Sequence, residues 1–198
     1  MSETWIEVDE AQDVAASIRH ALRSAQFVGE DPYAWKWVVL ALHSALQGAC
    51  VCHLTETASP LGAVKKKNRR EWLEYYKLSR SDPTATEPKT HLMTLPELLK
   101  ECRKLGSAGG PCGSTAIQIS DSELEWLTRF HRHIRNQFTH FEPQTWILEV
   151  SGIPSIAKLI SRIISDIYIS GWAFRNFNEN EANEFDVNIR KLSDILLR

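Results

Sequence analysis

Apolar residues along this chain fall mostly at intervals of three and four, the spacing of helices that bury one face. Between residues 8 and 27, Val14, Ile18, Leu22 and Ala25 share such a face, with Asp9, Glu10 and Asp13 in the first turn, where the helix dipole favours acids. Gly29-Glu30-Asp31-Pro32 breaks this helix, and Asp31 ahead of Pro32 predicts an N-cap with proline in the first helical position. The second helix then runs through Tyr33, Trp37, Leu40, Ala41, Ser44, Leu46 and Ala49 to about Leu54. It is apolar over much of its circumference, which predicts a place at the centre of the core.

The pattern then thins. Pro60 and Gly62 predict a loop over 55–63, and the basic run Lys65-Lys66-Lys67-Asn68-Arg69-Arg70 leads into a short helix over 71–76. Pro83 and Pro88 make 79–91 a loop, and Thr94 caps a short helix reaching about residue 105. The glycine-rich stretch 106–115 lacks the Gly-Lys-Ser/Thr of a phosphate loop and reads as a flexible connector. Ser120 and Glu123 form a capping box that starts a helix whose buried stripe is Leu127, Phe130, Ile134, Phe138 and Phe141. Pro143 predicts its end. Residues 145–150 are rich in β-branched and aromatic types and predict a strand, with 115–119 as its hairpin partner. Pro154 opens a long helix through Ile156, Ile160, Ile163 and Ile167 to about residue 178, and a more polar helix over 180–197 follows. The expectation is an all-α, antiparallel bundle of four to five main helices with one small β-hairpin. It is a single domain over 1–198, with a loop-rich insertion around 56–115.

Composition adds exclusions. The chain has 198 residues, enough for one well-buried domain, and a formal net charge of -2, so no global basic field attracts nucleic acid and any RNA contact has to be local. Cys50, Cys52, Cys102 and Cys112 lack paired zinc-ligand spacing and read as buried free thiols, which points to a reducing cytoplasm. The acidic start Met1-Ser2-Glu3-Thr4-Trp5 lacks the layout of a signal peptide. Lys36, His43, Ser44, Gln47 and His53 interrupt the apolar run 35–54, against a membrane span.

The stretch with most chemistry is Arg135-Asn136-Gln137-Phe138-Thr139-His140. Arginine forks onto phosphate oxygens and histidine exchanges a proton near neutral pH, a pair suited to a phosphodiester. On a regular helix the two are separated by about 140° around the axis and roughly 7.5 Å along it, so they do not converge within one helix. Either the helix unwinds near His140, or a two-fold dimer brings an Arg and a His from each chain into one cleft.

This Arg-polar-three residues-His arrangement, late on a helix of an all-helical domain, resembles the motif of the HEPN superfamily. The stretch Trp35-Lys36-Trp37-Val38-Val39-Leu40-Ala41-Leu42-His43 is similar to the corresponding helix of uncharacterised bacterial HEPN-like proteins. The resemblance implies a metal-independent endoribonuclease without cofactor, acting as a homodimer with a composite site, as the toxin of a toxin and antitoxin pair or a phage-defence effector. It also implies a neutralising partner such as a minimal nucleotidyltransferase. In that chemistry the 2'-hydroxyl attacks phosphorus, His140 handles a proton, and Arg135 stabilises the developing charge. Asn136 orients His140 or contacts the RNA, and the products carry 2',3'-cyclic phosphate and 5'-hydroxyl ends. Other members only bind or scaffold, which leaves a non-catalytic module binding RNA, nucleotide or a protein partner as the alternative. A third reading is a small-ligand bundle, marked by an apolar pocket between the second and fifth helices.

Further RNA-contact candidates are Arg132 and His133 on the motif helix, and Lys66, Lys67, Arg69 and Arg70 with Trp72, Tyr75 and Tyr76 for stacking. Against them stands ordinary solvation of helix ends. His43 and His53 read as satisfied core histidines. His131 and His133 are two apart on a helix and face different ways, which suits no metal. No Glu-x-x-His carboxylate pair and no Gly-x-Ser-x-Gly element occurs.

Overall fold

Helix α2, Ala34–Leu54, is the axis of the molecule, with both termini and most of its length buried. The computed structural model describes residues 5–6, 8–56, 59–110, 116–140 and 145–194. Helix α1, Glu10–Ala25, lies antiparallel along α2, its start beside the far end of that helix. Small residues permit the close approach: a Cβ placed on Gly48 of α2 would sit 2.7 Å from Val14 Cγ2. By length and composition α2 is apolar enough to cross a membrane, yet α1, α4, α7 and the motif helix cover it.

Helix α3, Lys66–Leu78, contains the basic run rather than following it. Four cations therefore occupy its first turns, against the helix dipole. Helix α4, Leu95–Cys102, starts at the Thr94 and Glu97 capping box and buries Leu95, Leu98 and Leu99. Helix α5, Asp121–Arg129, starts at the Ser120 and Glu123 box. It continues as a π-helical stretch, Phe130–Arg135, and one α-turn, α6, Asn136–Thr139. Helix α7, Ile153–Ile169, buries an isoleucine face, and α8, Glu179–Ser193, folds back along it, with Ser161 Oγ donating to Ile189 O at 2.7 Å. Gln12 Nε2 donates to Glu181 Oε1 at 2.6 Å, tying α8 to α1. The result is an all-α helical bundle.

Several expectations change. Among the described residues there is no strand, only isolated bridges joining Glu56 to Ser59 and Val64 to Leu92. Residues 145–150 belong to no helix or ladder, with Leu148 and Val150 packed on the core and Ile147 exposed. Their expected partner instead sends Ile117 and Ile119 into the core and donates the Ile117 N–H to Cys102 O at 3.0 Å. Thr115 lies outside the described residues, as do Phe141, Pro143 and Cys112.

The long helix predicted to residue 178 stops at Ile169, because Gly171 adopts φ 77 and turns the chain. There Phe174 packs on Phe185 with ring centroids 4.5 Å apart. Asp31 holds the N–H of Tyr33 at 2.8 Å, so Pro32 and Tyr33 form a turn ahead of α2 rather than its first residues.

The described part of the glycine-rich connector is docked, not loose. Gly109 N donates to His53 O at 2.8 Å, and Ser107 Oγ lies 2.9 Å from His53 Nε2. Cys50, Cys52 and Cys102 are buried free thiols; a hydrogen bond that the Cys50 thiol donates to Cys102, together with burial, pushes the Cys50 pKa up, and burial pushes Cys52 up to about 12.

Candidate functional site

The motif helix is anchored at its start and irregular at its end. Arg162 of α7 donates to Glu123 Oε1 at 3.0 Å and to Gln118 O at 2.8 Å, so the capping box is clamped to the next helix. Leu124, Leu127 and Phe130 then pack inward. Beyond Phe130 the backbone widens into the π stretch, where the residue one turn above position i is i−5 rather than i−4. Arg135 consequently sits below His131 and the buried Phe130 instead of below His131 and the exposed Arg132. That turns its guanidinium towards α2.

There Arg135 lines a cleft of about 470 Å³ together with His43, Ser44 and Gln47 of α2 and with Asp9, Glu10 and Asp13 at the start of α1. His43, 4% exposed, pairs its Nε2 with Nδ1 of His131 at 2.8 Å, and the rings stack with centroids 5.0 Å apart. One imidazole donates and the other accepts. Burial, then the Arg135 and His131 charges, lower the His43 pKa to about 3. Burial, then Arg135 and Arg132, lower that of His131. Both rings are therefore neutral at physiological pH.

Arg135 is half-buried, and Nη1 donates to Asn136 Oδ1 at 3.0 Å. Among the described residues it has no carboxylate partner, although three carboxylates share its cleft. A guanidinium flanked by a neutral amide and neutral imidazoles keeps its donors for an anion.

His140 ends the helix. Its backbone is extended, at φ -114 and ψ 95, its N–H donates to Asn136 O at 2.8 Å, and its side chain is exposed. The helix thus unwinds at His140, the first of the two ways out of the motif's geometry, but His140 is not among the residues of the cleft that Arg135 lines. The structure joins Arg135 to Asn136, His43 and His131 and leaves His140 apart.

Arg132 and His133 are exposed on the motif helix. Lys66, Lys67 and Arg70 are exposed on α3, whereas Arg69 donates Nε to Leu61 O at 2.9 Å. Asn68 Nδ2 of α3 donates to Lys89 O at 2.8 Å, holding that helix to the segment that follows it. From sequence, His43 read as a satisfied core histidine and His131 as a poor metal ligand, and the partnership between the two was missed. The available signal was an imidazole in the middle of an apolar helix, which requires a partner, and a second imidazole beside Phe130 on the motif stripe.

Among the described residues no group of three His, Cys, Asp or Glu side chains is placed to hold a metal ion. Comparison with known proteins finds no matching family model, no matching curated protein and no matching solved structure.

Proposed function

We propose that this protein is a metal-independent endoribonuclease of HEPN type, serving as a toxin or phage-defence effector. The observation that carries the reading is Arg135 itself: a half-buried guanidinium at a π-helical turn, held by Asn136 and without a carboxylate partner among the described residues. In this reading Arg135 stabilises charge on the phosphorane-like transition state, Asn136 fixes the guanidinium, and His140 transfers the proton of the attacking 2'-hydroxyl. The acidic wall of α1 confines the RNA backbone to the Arg135 side of the cleft. His140 lies apart from that cleft, so the site is completed by the histidine of a second copy in a homodimer. Lys66, Lys67, Arg69 and Arg70 supply a separate RNA contact, their cations placed where the α3 dipole makes them unfavourable for stability alone. A minimal nucleotidyltransferase is the antitoxin partner this reading calls for.

The exposed His140, apart from Arg135, favours a second reading: a non-catalytic module that binds RNA, a nucleotide or a protein partner. Incubating mixed RNA with the protein in EDTA separates the two. Cleavage that leaves 2',3'-cyclic phosphate ends and disappears in His140→Ala supports the nuclease. Absence of cleavage across a range of RNAs, or cleavage that survives His140→Ala, overturns it.

A further inference from the structure

The basic helix α3 and the cleft that Arg135 lines meet at one point of the fold. Val64, just ahead of α3, forms an antiparallel bridge with Leu92, and Lys65 N donates to His91 O at 3.0 Å. Leu92 is itself part of the wall of the Arg135 cleft. Bridged residues lie about 5 Å apart, so α3 starts against that wall.

On α3, Lys66, Arg70 and Lys77 follow one another at four and seven residues and share one outward face over about 17 Å. All three are exposed, and among the described residues none has an ion pair. The exposed acid Glu74 is turned about 70° away from this face. The segment 65–91 carries eight Lys and Arg against four Asp and Glu, a balance of +4 in a chain whose net charge is -2. The surroundings of the cleft thus differ in sign. Asp9, Glu10 and Asp13 bound it at α1, whereas Leu92 leads to the cations of α3. A polyanion held at Arg135 is repelled on the first side and attracted on the second.

We propose that one RNA strand spans both places, with a phosphate at Arg135 and the adjoining backbone running past Leu92 along Lys66, Arg70 and Lys77. The choice of RNA as ligand rests on the ribonuclease reading. A cationic helix face without base contacts holds the strand by its phosphates, so the substrate class is RNA of any sequence long enough to reach from the cleft to α3.

The test is a fluorescence-anisotropy titration of the full chain with a labelled 2'-O-methyl RNA decanucleotide, which blocks 2'-hydroxyl attack and separates binding from cleavage. It is run on the wild type, on Arg135→Ala, and on a variant combining Lys66→Gln, Arg70→Gln and Lys77→Gln. A control combines Arg23→Gln, Lys158→Gln and Lys191→Gln, which removes the same charge from exposed positions on α1, α7 and α8. Thermal melts verify that each variant folds. The expected result is one strand bound per chain, with affinity about tenfold weaker in Arg135→Ala and in the α3 variant and near wild type in the control. Removing three phosphate contacts also makes the slope of log affinity against log salt shallower by about 2 in the α3 variant.

No binding, more than one strand per chain, wild-type affinity in either Arg135→Ala or the α3 variant, or an equal loss in the control overturns the proposal. So does a smaller particle mass of the α3 variant with its RNA affinity unchanged, which makes this face an interface between copies. Cleavage of unmodified RNA is scored in parallel. The expected binding pattern without cleavage leaves the spanning strand and removes the nuclease; cleavage at wild-type rate in the α3 variant, with unchanged affinity, does the reverse.

Discussion

His43 on α2 and His131 on the motif helix, 88 positions apart in sequence, share one hydrogen bond of 2.8 Å and stack their rings. This contact fastens the irregular part of the motif helix to the core helix. Truncating one partner leaves the other with an unmet polar group, and at His43 it also opens a buried hole. His43→Ala is expected to lower unfolding free energy by about 2–3 kcal/mol, and His131→Ala, at a partly buried position, by about 1 kcal/mol. Urea unfolding of both variants and the double variant measures this. Additive losses would show that the pair is not coupled.

The same burial gives an acid dependence. His43 has its pKa lowered to about 3 and His53 to about 4, against 6.5 for an exposed histidine, burial being the leading cause in both. The unfolded chain therefore takes up protons below pH 6.5 that the folded chain refuses. Stability is fully present above pH 6.5 and falls as the pH drops from there towards 4 and 3. At pH 5 each histidine accounts for a loss of about 2 kcal/mol. Thermal melts from pH 7.5 to 4.5 should show the decline, flattened in His53→Gln, which retains a polar group facing Ser107. An unchanged slope in that variant would place the acid sensitivity elsewhere.

Gly48 controls the spacing of α1 and α2. A Cβ there lies 2.7 Å from Val14 Cγ2, and valine has one strongly preferred helical rotamer, so it cannot step aside. Gly48→Ala gains helix propensity but is expected to lose about 1–3 kcal/mol to overpacking. Removing the obstructing methyl with Val14→Ala in the same chain should recover part of that loss. A Gly48→Ala protein as stable as the parent in denaturant titration would mean that the helices separate freely.

Local chemistry was legible in the sequence and long-range pairing was not. The Ser120 and Glu123 box and the Thr94 and Glu97 box each satisfy N–H groups within four residues, so the sequence window contains the whole interaction. Helix α2 announced itself by being apolar nearly all round. The strand over 145–150 failed because its β-rich composition describes a half-buried surface, and a segment without regular structure packed on the core offers the same surface without a ladder. The π stretch was invisible because a 3.6-residue period was assumed through Arg135, and its departure depends on Phe130 and His131 both finding partners on α2. Arg135, Asn136 and His140 were picked by type and spacing. That Arg135 turns to His43 instead of His140 follows from this departure.

Arg135 acts on its neighbours in a way that can be read without any substrate. Burial is the larger cause of the low His131 pKa, and the Arg135 charge is the next. Arg135→Ala is therefore expected to raise the His131 pKa towards 6.5, seen by NMR titration of the ring protons, while His140→Ala leaves it where it was. Neither substitution should change unfolding free energy by more than about 1 kcal/mol, since Arg135 surrenders only its bond to Asn136 and His140 is exposed. On the proposed chemistry both variants lose RNA cleavage by a factor of about 100 or more. Arg135→Lys keeps the charge, and with it the depressed His131 pKa, but not the planar fork, so its cleavage falls too. Full activity in Arg135→Lys would reduce the role of Arg135 to a point charge. Loss of activity in Arg135→Ala accompanied by unfolding would make the residue a support of the π turn instead of a contact to phosphate.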